Sequence, residues 1–196
     1  MPRELIPYVI PPEETTPGLW TSFATTCREC PAGCGMHLWH RFGRVTKAEG
    51  NPVHPINYGA LCPRGQSSLQ GHYDPDRITQ VHRKRKDSFT PASWEAAYRF
   101  LADRLRKSNG RVAVLTNLET GSLAEVIQAF AKAFGSDRVL FYEAFDYEPL
   151  KSAHGSLFGQ SIIPDYRIDK CEFIISFAAD FLESWISNVQ FARRFA

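Results

Sequence analysis

At 196 residues the chain is long enough for one good core, or for a small domain joined to part of a larger one. Its 43% hydrophobic and 22% charged residues are ordinary for a soluble globular protein, and 23 basic against 21 acidic side chains leave a net charge of +2. That balance excludes a bulk electrostatic argument for nucleic acid or a membrane surface, and no apolar run approaches the ~20 residues needed to cross a bilayer.

Residues 1–20 carry Pro2, Pro7, Pro11, Pro12 and Pro17 with little periodicity, which predicts an extended arm lying over another surface. The opening Met1-Pro2-Arg3-Glu4-Leu5 has neither an apolar signal core nor a twin arginine. Nothing in it directs export, and the expected location is open between soluble and peripheral to a membrane complex. Residues 21–76 read as a small β-rich unit. Met36 to Phe42 alternates as a strand, Gly43 marks a turn, and Arg44 to Glu49 returns as a second strand. His37 and His40, three apart on that first strand, should face opposite ways and cannot share a metal. After a polar loop through His54, Pro55 and Asn57, Gln66 to Gly71 suits one short helix.

Four of the five cysteines fall inside this unit, as Cys27, Cys30, Cys34 and Cys62, with the spacing C-x2-C-x3-C-x27-C. An odd count and tight grouping point to metal binding rather than a stapled secreted scaffold. Four soft thiolates suit a tetrahedral zinc or an iron–sulfur cluster. Zinc ligands usually come as two close pairs, whereas three from one loop and a fourth from afar suit the corners of a 4Fe-4S cubane. Gly33 and Gly35 would let backbone N–H groups turn towards the sulfurs. Zinc and disulfides remain the alternatives. The unit is too small to hold much core, so it should be unfolded without its metal.

Residues 77–92 form a connector with the basic run His82-Arg83-Lys84-Arg85-Lys86, read as a solvated loop because no aromatic residues interleave with it. Residues 93–196 then alternate helices and strands. Trp94, Ala97, Tyr98, Leu101 and Leu105 recur at helical spacing after a cap at Ser93 or Thr90, and Gly110 follows the end. Arg111 to Thr116 is a buried-type strand, Leu123 to Phe134 a helix stopped by Gly135, and Val139 to Tyr142 a strand. Pro149 opens a helix to about Phe158, Glu172 to Ala178 is a third strand, and Asn188 to Ala196 starts another helix. The order predicts an α/β fold: a β-rich cluster domain followed by the start of a Rossmann-like parallel domain, incomplete at its uncapped last helix. Cys171, opening the third strand, reads as core.

The cysteine quartet followed by Pro63-Arg64-Gly65, then Ser93-Trp94-Glu95-Ala96-Ala97 and an α/β unit, resembles the N-terminal part of the molybdopterin (Mo/W-bisPGD) oxidoreductases. The resemblance runs from about Thr21 and would cover roughly a quarter of a typical catalytic subunit. Within the family, Leu5 to Pro12 and Ala179-Asp180-Phe181-Leu182 look most like the molybdopterin-type subunit of alternative complex III and related quinone-linked complexes. The resemblance implies that Cys27, Cys30, Cys34 and Cys62 ligate one 4Fe-4S cluster. It implies too that Arg64 lies between cluster and pterin, contacting the cofactor. Molybdopterin guanine dinucleotide with Mo or W is a conditional second cofactor. Active members of the family present a Cys, selenocysteine, Ser or Asp to the metal, and Tyr142 to Tyr147 contains no Cys or Ser. Asp146 could ligate, but reads more simply as an exposed loop carboxylate.

The expected function is electron relay through one 4Fe-4S cluster in a respiratory-type oxidoreductase. Partners would be iron–sulfur and membrane quinone-linked subunits, with no nucleic acid and no membrane span of its own. The rival expectation is a structural or assembly module with zinc or no metal at the four cysteines. No acid–base or nucleophilic constellation is visible, so no catalytic residue is assigned.

Overall fold

The computed structural model describes residues 18–41 and 43–196, so all but the last three residues of the expected arm lie outside the described part. In chain order the elements are β1 (Thr21–Thr26), β2 (Gly35–Arg41), β3 (Arg44–Gly50), α1 (Pro63–His72), β4 (Val81–Arg85) and β5 (Ser88–Ala92). There follow α2 (Trp94–Arg106), β6 (Val114–Asn117), α3 (Ser122–Ala133), β7 (Val139–Tyr142), α4 (Glu148–Phe158) and α5 (Asn188–Phe195), with one 3-10 turn at Ile168–Lys170. The fold is α/β, a β-rich front followed by alternating helices and strands. Among the described residues no helix is long and apolar enough to cross a membrane.

The described residues divide into two compact units, one made of those up to Tyr73 together with Arg167–Ala196, the other of Asp74–Tyr166. In the first unit β1, β2 and β3 form an antiparallel meander, with Thr26 opposite Gly35 and Met36 opposite Gly50. The core beneath it is small and built largely from ligand-type residues: Cys27, Ala32, Cys34, Met36, Ala48 and Val189 are buried. Cys30, Leu38, Leu61, Cys62, Leu69 and Ile186 pack on them. Pro63 starts α1 at a position where its missing N–H costs nothing. The segment Arg167–Ala196 reaches this core through α5, whose Phe191 is 1% exposed and is met edge-on by Phe181 and Trp185.

In the second unit β6 and β7 pair in parallel, as a strand–helix–strand crossover through α3 requires. The Ser93 hydroxyl caps α2 by accepting the Ala96 N–H at 3.2 Å. The expected connector over residues 77–92 holds an antiparallel hairpin, β4 against β5, with Pro91 tolerated because a two-stranded ribbon has only edges.

Two expectations need correction. Glu172 to Ala178 is not a strand, and Phe173, Ile175 and Phe177 in it are exposed. An apolar run becomes a strand only where a neighbour completes its hydrogen-bond ladder, and none among the described residues pairs with this one. Cys171 consequently does not open a buried strand: it is exposed just after the 3-10 turn, its Sγ 3.7 Å from the Arg167 carbonyl. The segment from Arg167 onwards groups with the cysteine-bearing unit instead of extending the parallel sheet.

Candidate metal centre

The first three cysteines sit on a loop closed at its neck. The Cys27 N–H donates to the Cys34 carbonyl at 2.8 Å, continuing the β1–β2 ladder by one rung. Gly33 takes φ +62°, a left-handed turn that brings Cys34 back under the loop at little steric cost. Gly35 is needed for a different reason: a Cβ there would lie 2.4 Å from Cγ of the His54 ring. The strand can therefore approach the loop over residues 51–60 only without a side chain.

A buried asparagine pins that approach. Asn57 is fully buried, its Oδ1 accepting the Gly35 N–H at 2.9 Å. Its Nδ2 donates to the carbonyls of Gly35 at 2.8 Å and Ala60 at 2.6 Å. This one side chain ties the end of the three-cysteine loop to the stretch leading into the fourth cysteine. Cys62 occupies the N-cap of α1 in an extended conformation, its carbonyl accepting the Gln66 N–H at 3.0 Å.

All five cysteines are free thiols. Cys27 and Cys34 are each 5% exposed, while Cys30 and Cys62 are half-buried. Cys30 and Cys62 pack against the core that holds the buried Cys27 and Cys34. Burial pushes the Cys34 thiol up to about 11, and the neighbouring Cys30, Cys27 and Cys62 add to the rise. Cys27 is raised mainly by burial, partly offset by a backbone hydrogen bond at Glu29, and again by Cys30 and Cys62. Four thiolates cannot share so small and dry a space without positive charge among them. The donor set therefore fits a metal centre, by the chemistry of its sulfurs.

Among the described residues no group of three or more His, Cys, Asp or Glu is set to hold a metal ion. Beside Cys62 a cleft of about 370 Å³ opens between Leu61 and the α5 residues Val189, Ala192 and Arg193.

Of the other candidates, Arg64 stands exposed in the first turn of α1, and its guanidinium has no partner among the described residues. Asp146 is exposed and its Oδ1 accepts the Glu148 N–H at 2.9 Å, at the start of α4. Glu143, the other carboxylate of that loop, accepts the Leu118 N–H at 2.8 Å. His40 packs edge-on against Phe23, and neither it nor His37 belongs to the cysteine core.

Sequence reasoning missed Asn57 and Ser187. Asn57 sits in a Pro-containing loop where Asn commonly bonds the backbone, a signal too general to single it out. Ser187 precedes a helix and is legible as a cap, but the packing of its neighbours Ile186 and Val189 into the cysteine core is not.

The family of the molybdopterin oxidoreductase Fe4S4 domain matches residues 20–74. The chain is 28% identical over 164 residues to the menaquinone reductase molybdopterin-binding-like subunit of Nitratidesulfovibrio vulgaris, covering 82% of this chain and 23% of that protein. It is 32% identical over 129 residues to a sulfite dehydrogenase subunit of Allochromatium vinosum, covering 62% and 13% respectively. With the arsenate respiratory reductase molybdopterin-containing subunit of Shewanella sp. strain ANA-3 it shares 30% identity over 183 residues, 87% of this chain and 21% of the relative. The chain thus spans a quarter or less of the length of these relatives.

Proposed function

Because the chain belongs to the molybdopterin oxidoreductase family, with its Fe4S4 domain at residues 20–74, we propose that Cys27, Cys30, Cys34 and Cys62 ligate one 4Fe-4S cluster through which the protein relays single electrons. The observation that carries this reading is the packing of four thiols from one loop and one helix N-cap into one small core, Cys27 and Cys34 buried and Cys30 and Cys62 half-buried against them. When bound, the cluster supplies reversible one-electron chemistry at a potential set by burial, charge and hydrogen bonds to sulfur.

The chain's own residues do the rest. The loop closed by the Cys27–Cys34 hydrogen bond presents three sulfurs, and α1 presents the fourth. Met36, Ala48 and Val189 keep water away from the two most buried thiols. Arg64, exposed on α1 two residues after Cys62, offers a positive charge and a planar donor fork to a cofactor on that side.

No substrate step is placed on this chain. Both carboxylates of the Tyr142–Tyr147 stretch accept a backbone N–H, Glu143 from Leu118 and Asp146 from Glu148. We propose a relay subunit within a multi-subunit redox complex, adjoining iron–sulfur and quinone-linked membrane subunits. One relative is named as part of a menaquinone reductase, which supports that setting.

The test is anaerobic purification and reconstitution of the full chain, with iron and acid-labile sulfide assays and low-temperature EPR of the reduced sample. Four iron and four sulfide per chain, about the content of one cubane, and a reduced-cluster signal are expected. A colourless chain carrying one zinc would refute the proposal.

A further inference from the structure

We propose that the outward face and turn of the β4–β5 ribbon rest on an anionic lipid surface, Lys84, Arg85 and Lys86 meeting the headgroups and Phe89 entering between them. The ribbon lies in the compact unit without the cysteines, so this reading stands apart from the metal centre. Side chains alternate across a strand, and the register therefore sorts the ribbon into two faces. Arg83 and its partner Thr90 lie on one, Lys84 and its partner Phe89 on the other. The Arg83 guanidinium carbon is 5.7 Å from the centre of the Phe100 ring on α2, and Val81, Thr90 and Ala92 on the same face are half-buried. That face is turned inward. On the opposite face His82, Lys84, Phe89 and Pro91 are all exposed, Phe89 by 66%. No aromatic residue interrupts the basic run in sequence, yet the hairpin sets Phe89 directly across from Lys84.

Charge selects the occupant. Among the described residues Lys84, Arg85 and Lys86 have no acidic partner, and Asp87 is the one acid of the ribbon. A near-neutral chain thus carries a local cationic excess around an exposed ring. Lysine stems lie along apolar surface while their ammonium groups stay with phosphate, and a neighbouring aromatic ring settles at headgroup depth. Other occupants fit less well. One aromatic side chain cannot stack successive bases of a single strand. An added peptide strand is discouraged by Pro91, which has no N–H to give, and by the charge along β4. A fluid headgroup layer needs neither a stacking platform nor a matching strand edge.

The experiment sediments the full chain, loaded anaerobically, with vesicles of phosphatidylglycerol and phosphatidylcholine in equal parts, and with phosphatidylcholine alone. Wild type should pellet with the anionic vesicles only, and less as salt is raised. Each cation near such a surface raises the partition about fivefold, so Lys84→Gln/Lys86→Gln should bind about 25-fold more weakly. Lys84→Arg/Lys86→Arg keeps the charge and should bind as wild type, which separates charge from folding. Phe89→Ser should bind about tenfold more weakly, by a factor that does not change with salt. Lys132→Gln, an exposed change on α3, should have no effect. Wild type left in the supernatant, undiminished binding by the glutamine pair, or an equal loss in Lys132→Gln would each overturn the proposal. So would binding to polyglutamate or to a single-stranded oligonucleotide in place of vesicles. A chain that takes up no cluster refutes the ligand reading alone, because its vesicle binding is read all the same.

Discussion

Asn57→Ala probes how the site is held. The side chain makes three hydrogen bonds, of 2.9, 2.8 and 2.6 Å, all in a buried setting. Removing it does not orphan every partner, since the Gly35 carbonyl keeps the Asn51 N–H at 2.9 Å. The Gly35 N–H and the Ala60 carbonyl lose their partner. At about 1–3 kcal/mol for each buried group left unsatisfied, the sum is about 2–6 kcal/mol, and about 3 kcal/mol is a fair working value. That is a large share of the ~5–15 kcal/mol that holds a whole domain. Since 1.4 kcal/mol is tenfold, the site should open about a hundredfold more often. The assay is iron release from the loaded chain to an excess of chelator in sub-denaturing urea, because cluster loss is irreversible and is read as a rate. Asn57→Asp keeps the shape and one acceptor but sets an oxygen against two carbonyl oxygens, so it should release iron at least as fast. Release by both variants within about threefold of wild type would correspond to under ~1 kcal/mol, and would refute the role of Asn57 as the tie between the loop and Cys62.

Alkylation with iodoacetamide should separate the cysteines. In the loaded chain only the exposed Cys171 should label, while in the cluster-free chain Cys34 should label last. Its thiol sits near 11 against an ordinary 9.0, so thiolate is about a hundredfold scarcer; the greater nucleophilicity of a more basic sulfur returns part of this, for about a tenfold net slowing. Because that folded value is raised, its contribution to the cluster-free fold is present below pH 9.0 and lost as pH climbs through about 11, measurable by circular dichroism. Gly35→Ala places a methyl 2.4 Å from the His54 ring carbon and should lower iron occupancy at fixed iron supply, read by the iron assay. Hydrogen bonding from Arg167, with Arg194 nearby, holds the Asp169 carboxyl down at about 2 against 3.8. Being depressed, it favours the local Arg167–Asp169 pair above pH 3.8 and ceases to as pH falls through about 2; Asp169→Asn should remove that acid-dependent step from the NMR titration.

What the sequence made legible was local. The helices α2, α3 and α4 follow from apolar spacing and from a capping Ser93, a stopping Gly135 and an early Pro149, all within one or two turns of the structure they specify. The strands β2 and β3 follow from alternation around Gly43. The hairpin at residues 81–92 was hidden because a run of basic residues looks like a loop and Pro91 argues against a strand, though an edge ribbon accepts both. The misreading of Glu172 to Ala178 has a different origin. Seven apolar-rich residues carry the composition of a strand, but whether one forms depends on a partner that the segment itself cannot encode. Asn57 and Val189 belong to the same class: each meets Gly35 or the cysteine core across a long stretch of chain, and nothing near them in sequence says so.

That distinction bears on where the cluster-bearing unit ends. The family match covers residues 20–74, and a segment of that size suggests a self-contained lobe. Its buried interior, however, holds few large apolar side chains: among the described residues the two largest fully buried side chains of any kind are the polar Asn57, which serves three hydrogen bonds, and Phe191, which lies outside the matched span. Two of the buried core residues are cysteines, whose burial raises their pKa and so gains little until a metal takes up the thiolate charge. Val189 and Ile186, again from outside the span, pack into the core that holds Cys27 and Cys34. The stable unit is therefore discontinuous: the cysteine loop, α1 and the α5 segment close on the sulfurs together, and the metal-linked free energy of folding is shared by residues from both ends of the described chain.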